Sequence, residues 1–322
     1  MQEILFLMKY IYLIIFNIFT LQNLSFASDN TESICKEFLI PSKETEIYSN
    51  YSENTTFKSG VLWKIISPNK KINYLFGTIH SQEYSVTKFS HEVRLALIKS
   101  KKLILETIPS NNANIIYKDM MYYKNGNQLN DLLEEPLFKK LTELVKLYDL
   151  SESELINLKY MKPWAAFNLI GRPKTVRAPT LESNLLKLAQ ERMLKIESLE
   201  TMDEIISSLN KLSINDQLNI LKDTICNRKK IIEETKMLIN LYIQRNALGI
   251  VKFSQRKHAN EQIYTRFIEI MLHERNKKML KKITKEFNQG NVFVAVGILH
   301  LIAKDGILEN LEDLDYTIEV IY

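Results

Sequence analysis

The chain is predicted to be an α/β fold, with a mixed β-sheet flanked by helices and a large helical insertion between sheet strands. Three observations predict it. Short apolar, β-rich runs recur from Gly60 to the terminal Tyr322. Stretches with leucine at helical spacing lie between them. No internal repeat or low-complexity linker divides the chain, so one sheet-and-helix domain accounts for it.

The elements follow in order. Residues 1–27, MQEILFLMKYIYLIIFNIFTLQNLSFA, hold Lys9 ahead of a nearly uncharged apolar run from Tyr10 to Leu21, then the small residues Ser25 and Ala27. That is the pattern of a signal peptide cleaved after Ala27, and the run is short for a membrane span. The expectation is an exported protein, periplasmic or extracellular, that meets a membrane only through its leader. Residues 28–57 are polar and read as a loose N-terminal segment, ahead of a domain over 58–322. GVLWKIIS (60–67) and INYLFGTI (72–79) flank Pro68-Asn69-Lys70-Lys71, which predicts an antiparallel hairpin. A helix over 88–100 leads to a third strand, KKLILE (101–106).

LNDLLEEPLFKKLTELVKLYDL (129–150) reads as a helix whose first turn Asp131 would cap, and LESNLLKLAQERM (181–193) as another. LKIESLE (194–200) is the next strand. From Thr201 to Gln289 the pattern stays helical almost without a break, until Gly290 stops it. NVFVAVGI (291–298) and YTIEVIY (316–322) supply the last strands.

The charge balance is +5. No stripe of Arg and Lys interleaved with aromatics accompanies it, which argues against nucleic acid as a partner. The lysine-dense spots Arg228–Lys230 and Lys277–Lys282 read as solvated helix faces. Cys35 and Cys226 are the two cysteines. Export permits a disulfide between them, and the sequence leaves that pairing open.

The chemistry gathers at strand ends. Two of five histidines follow two of eight glycines at one spacing, Gly77-Thr78-Ile79-His80 and Gly297-Ile298-Leu299-His300, each closing an apolar β-rich run. Glycine lets the backbone turn or approach closely before a side chain that enters a site. The carboxyl ends of strands in open α/β sheets are where ligands bind. The plainer reading is a pair of hydrogen-bonded core histidines behind glycine bulges. Glu106 ends LILE and Glu200 ends LKIESLE in the same manner.

Four tips therefore present His80, Glu106, Glu200 and His300. Two imidazoles with one or two carboxylates suit a divalent ion, Zn²⁺, Mn²⁺ or Co²⁺, and leave a position for water. A glutamate not bound to the ion would serve as general base. Arg275, in HERNKKML, would stabilise developing negative charge or bind a substrate carboxylate; alternatively it is a surface arginine of a helix. His91, His258 and His273 stand in polar helical context and read as surface residues. A Gly-x-Ser-x-Gly elbow, an HExxH pair and a phosphate-cradling glycine loop are all missing from the sequence.

Taken in order, LFGTIH, LILE, MKPW, LLKLA…IESLET, ERN and FVAVGILHL…KDGILENL resemble the TraB/GumN family. That family includes the TIKI metalloproteases and is related to the erythromycin esterase and ChaN-like proteins. The resemblance runs from about Gly60 to Tyr322. It implies that His80 and His300 belong to the metal or catalytic site, with Glu106, Glu200 and Arg275 as catalytic partners. It also implies a TIKI-like peptidase acting on a peptide or small-molecule substrate. The ChaN-like relatives imply an alternative, a haem- or ligand-binding protein using the same pocket without turnover. Three positions depart from the family pattern. Ile302-Ala303 follows Leu301 in place of a Pro-Gly-like turn, Glu182 stands where aspartate is usual, and Asp315 replaces a glycine near the last strand.

Overall fold

A computed structural model of the chain describes residues 28–38, 57–108, 110–148, 150–173, 178–255 and 258–322. The expected signal peptide, residues 1–27, and most of the polar segment lie outside the described residues. Ser28–Cys35 form a helix and Lys36–Phe38 a 3₁₀ turn, so the start of that segment is folded. Cys35 is joined to Cys226 by a disulfide, which settles the open pairing.

Six strands make one mixed sheet: β1 (Leu62–Ile66), β2 (Ile72–Thr78), β3 (Lys102–Leu105), β4 (Lys195–Ser198), β5 (Val292–Gly297) and β6 (Thr317–Val320). Their order across the sheet is β4-β3-β5-β2-β1-β6. β1 and β2 are the antiparallel hairpin expected from the turn residues, closed by Lys70 N–H donating to the Ser67 carbonyl at 2.8 Å. Lys70 takes the left-handed conformation there, φ 64°. β6 adds antiparallel to β1, whereas β2, β5, β3 and β4 run parallel to one another. Parallel strands need crossovers, and helices supply them on both faces. β5 accordingly buries Val292 through Val296 without alternation.

Helices fill the β3–β4 and β4–β5 connections. The expected long helix over 129–150 is shorter. Leu129–Asp131 form a 3₁₀ turn, and the α-helix runs Glu135–Val145 with Pro136 in its first turn. Proline has no N–H to cap and a φ already suited to a helix start. Asp131 therefore caps nothing here. The near-continuous helix expected over 201–289 is also divided. It comprises Met202–Asn210, Ile214–Ile243, Ala247–Ser254, Glu261–Ile268, a π turn at Glu269–His273, and Glu274–Phe287. Ser213, Asn246 and Asn260 cap new starts by accepting from Asp216, Gly249 and Ile263 N–H. Polar residues of this kind read equally well as the solvent face of an unbroken helix, which is why periodicity missed the breaks. Gly290 does stop the last one, at φ 83°.

Two apolar clusters result. One surrounds the sheet, with Trp63, Leu75, Phe293 and Phe287 fully buried. The other lies within the helical insertion around Leu137, Trp164, Ile170 and Leu221, and takes in Cys35. Tyr242, buried on the 214–243 helix, donates to the Gly77 carbonyl at 2.8 Å and ties that helix to β2 near its tip.

Candidate active site at the strand tips

Because β2, β3, β4 and β5 are parallel, their carboxyl ends share one edge of the sheet. Pairing continues past the strands. Glu106 N–H donates to the Ala295 carbonyl at 3.0 Å, and Glu200 N–H to the Glu106 carbonyl at 3.0 Å. Thr78 lies in register with Gly297, so the two Gly-x-x-His turns leave the sheet side by side.

Neither motif glycine has positive φ; each permits a close approach. A Cβ on Gly77 would come within 2.8 Å of Ile298 Cγ1. One on Gly297 would meet Glu106 Oε2 at 3.4 Å and His300 Cδ2 at 3.5 Å. The Gly297 N–H also donates to Glu106 Oε2 at 3.1 Å.

Arg275 is buried rather than on a surface. Its Nη2 donates to Glu106 Oε1 at 2.6 Å and to Glu200 Oε2 at 2.7 Å, and its Nε also reaches Glu200 Oε2, at 2.9 Å. Nη1 donates to the Met271 carbonyl at 3.1 Å, inside the π turn that precedes this helix. Widened turns of this type recur at functional sites. Burial disfavours charge on Arg275, but Glu200 and Glu106 outweigh it and raise the guanidinium pKa further. Glu200 is buried, and its Oε1 has no hydrogen-bond partner.

His300 is buried in the short helix Ile298–Ile302. Its Nδ1 is 2.6 Å from Asn276 Oδ1. The Asn276 Nδ2 points to the Asp305 carbonyl at 3.5 Å, which orients the amide so that Oδ1 accepts from a protonated Nδ1. Nε2 is then a bare lone pair, and it faces Glu106 Oε1 at 3.9 Å. Burial lowers the His300 pKa to about 4, despite Glu106 beside it. For Glu106 burial works the other way, but His300, Arg275, His80 and the Gly297 N–H overcome it and hold the carboxyl at about 2. With His300 uncharged at neutral pH, Arg275 and His80 are the counter-charges that act on Glu106 there.

His80 stands at the mouth, its side chain 78 % exposed, with Nδ1 3.1 Å from Glu182 Oε1. Glu182 lies in the first turn of the Leu181–Glu191 helix, which Thr180 caps. The Glu182 carboxylate is the main reason the His80 pKa is raised, to about 9.

The structure thus joins Glu106, Glu200, Arg275 and His300 in one network, with His80 at its solvent edge. Among the described residues, no three His, Cys, Asp or Glu side chains converge as they stand into an ion-holding group. The Arg275 guanidinium lies between Glu106 and Glu200 and engages both. Sequence reading gave no role to Asn276 and noted Glu182 only as a departure; each reaches its histidine from a helix distant in sequence. His91 is exposed as expected, but His258 and His273 are half-buried, His258 with its ring stacked on Tyr264 at 3.3 Å.

A cavity of about 500 Å³ lies elsewhere, walled by Phe38, Phe167, Tyr264 and Phe267 in the helical part. It shares no residue with the strand-tip network, and the acid–base groups make the tips the better candidate. No curated protein and no solved structure matches the chain. The model of the TraB/PrgY/gumN family does match, over residues 61–320. That span takes in all six strands and all four tips, and the chain belongs to this family.

Proposed function

We propose that the chain is an exported metal-dependent hydrolase, peptidase-like and of TIKI type, acting on a peptide or small-molecule substrate at the strand tips. The observation that carries this reading is the facing pair of acceptors, His300 Nε2 and Glu106 Oε1, 3.9 Å apart. The Arg275 guanidinium already offsets the Glu106 charge from 2.6 Å at the same Oε1, and an ion between Oε1 and the imidazole lone pair would offset the repulsion that remains. Two ligands each ~2.1 Å from one divalent ion stand roughly 3–4 Å apart. The charge balance also fits. Glu106, Glu182 and Glu200 carry three negative charges against Arg275 and the protonated His80, and an ion that displaced the His80 proton would have two left to offset.

His300 and Glu106 would hold the ion, Zn²⁺, Mn²⁺ or Co²⁺, and exposed His80 would turn from Glu182 to join them. When bound, such an ion supplies Lewis acidity and makes water more acidic. Asn276 keeps the Nδ1 proton on His300, so its Nε2 stays a ligand. Arg275 keeps Glu106 anionic. Glu200, with an unpartnered Oε1, accepts the proton of an attacking water. The Cys35–Cys226 disulfide supports export, because such bonds persist in oxidising compartments.

The test is metal analysis of the purified protein after loading with each ion, together with hydrolysis of a fluorogenic peptide set. His300→Ala and Glu106→Gln should each lose bound metal and hydrolysis. Retention of both properties in both variants would refute the reading. Absorbance of a haem complex without any hydrolysis would favour the ligand-binding alternative.

A further inference from the structure

The cavity of about 500 Å³ in the helical part is separate from the strand tips, and four segments wall it. Phe167 comes from the helix Pro163–Ile170, and Ile220 and Ile231 from the helix Ile214–Ile243. Ile263, Tyr264 and Phe267 come from the helix Glu261–Ile268, and Phe38 supplies the fourth wall. That last wall is fixed in place. The Cys35–Cys226 disulfide lies three residues before Phe38, and Asn227 Nδ2 donates to the Phe38 carbonyl at 2.8 Å. Phe167 and Phe267 meet edge to face, with ring centres 6.4 Å apart. Asn168, Arg172 and Asn260 are exposed and mark the side that opens to solvent.

Polar side chains of the lining are turned to protein partners. Thr224 Oγ1 donates to the Ile220 carbonyl at 2.7 Å, and Asn219 Nδ2 to the Asn215 carbonyl at 2.9 Å. The Tyr264 hydroxyl donates to the Ser254 carbonyl at 2.8 Å. Asp223 Oδ1 accepts from Asn227 Nδ2 at 2.6 Å, and Asn260 Oδ1 from the Ile263 N–H at 3.1 Å. What is left to face a bound molecule is aromatic and aliphatic surface. Among the described residues of the lining, one guanidinium, Arg172, is matched by one carboxylate, Asp223, so neither sign of charge is favoured.

A concave, mainly apolar space of this volume has small-molecule dimensions. At the ~30 Å³ that a water takes in the liquid, it has room for roughly 15–20 non-hydrogen atoms. A protein partner would need a footprint of about 800 Å², far broader than such a cavity offers. We infer that this cavity is a binding site for one uncharged, mainly aromatic or hydrocarbon molecule of that size. The site is distinct from the reaction centre and stands whether or not the strand tips hydrolyse anything.

The test is fluorescence titration of the full chain, disulfide intact and at neutral pH, with the uncharged probe N-phenylnaphthylamine. Binding should saturate at one probe per chain. Anilinonaphthalene sulfonate, the same ring system carrying a charge, should bind at least about threefold more weakly, because the charge must leave water. Ile231→Trp, at a half-buried helix position, places a ring in the cavity and should weaken N-phenylnaphthylamine at least about tenfold. Phe38→Ala removes a wall that is itself half-buried and should weaken it about three- to tenfold. The control Met237→Trp adds the same ring at an exposed position of the same helix, outside the lining. It should change binding less than about twofold. Urea midpoints measured alongside separate loss of the site from loss of the fold, and Phe38→Ala decides if Ile231→Trp does not fold. Unchanged affinity in the folded lining variants, equal weakening by Met237→Trp, a sulfonate bound as tightly, or no saturable binding would overturn the inference.

Discussion

At Arg275 two carboxylates from different strand tips share one guanidinium, all three groups being largely withdrawn from water. Removing the arginine leaves Glu106 and Glu200 buried beside each other without compensation. Arg275→Met is expected to lower stability by about 3–5 kcal/mol, read from urea unfolding. Arg275→Lys keeps the charge but loses the fork that reaches both acids, and should fall between that variant and wild type. The two motif glycines should also differ. Gly77→Ala forces a Cβ into Ile298 and should cost about 1–3 kcal/mol. Gly297→Ala meets its neighbours only at ordinary contact distance, and its stability should change by less than about 1 kcal/mol. Equal losses at both positions would contradict the close-approach account. The two glutamates of the network were legible in the sequence because a charge that ends an apolar run has little choice but the strand tip, whereas Arg275, on a helix, read equally as a surface residue. Asn276 and Glu182 were not legible, because their contacts depend on how two helices are rotated about the sheet, which no local pattern records.

Among the elements, strands were read more securely than helices. Each β-rich run identified in the sequence contains an observed strand, since apolar stretches bounded by turn residues have one stable use in a sheet covered on both faces. Helix ends were less legible, as the breaks at Ser213, Asn246 and Asn260 show. One tie between the divided helices is open to titration. Asp216, near the start of the 214–243 helix, accepts from Arg266 Nε and Nη2 at 2.9 and 2.6 Å. The bonds from Arg266 lower the Asp216 pKa from its ordinary 3.8, against the effect of burial. A depressed folded value means that the stabilisation is complete above the unfolded pKa and lost as pH falls through the folded one. The stability gap between wild type and Asp216→Asn should therefore be full well above the ordinary 3.8 and close as the pH falls below it through the folded value. A gap unchanged across that range in urea titrations would show that Asp216 contributes by packing instead.

The whole molecule is held at long range by one covalent tie, between residues separated by 191 positions. Cys226→Ser should reduce stability by about 2–4 kcal/mol, mainly by releasing the unfolded chain. Dithiothreitol treatment of the wild type should reproduce the loss, and an unchanged urea midpoint in both cases would refute it. The order of strands has a different kind of effect. β5 lies between β3 and β2, although nearly two hundred residues separate it from β3 and its histidine is synthesised long after His80. Until that strand arrives, the first histidine and the first glutamate have no shared wall. A chain still emerging, with β5 not yet made, therefore contains most of the reactive groups and none of their arrangement. Insertion of β5 is itself the event that assembles the site.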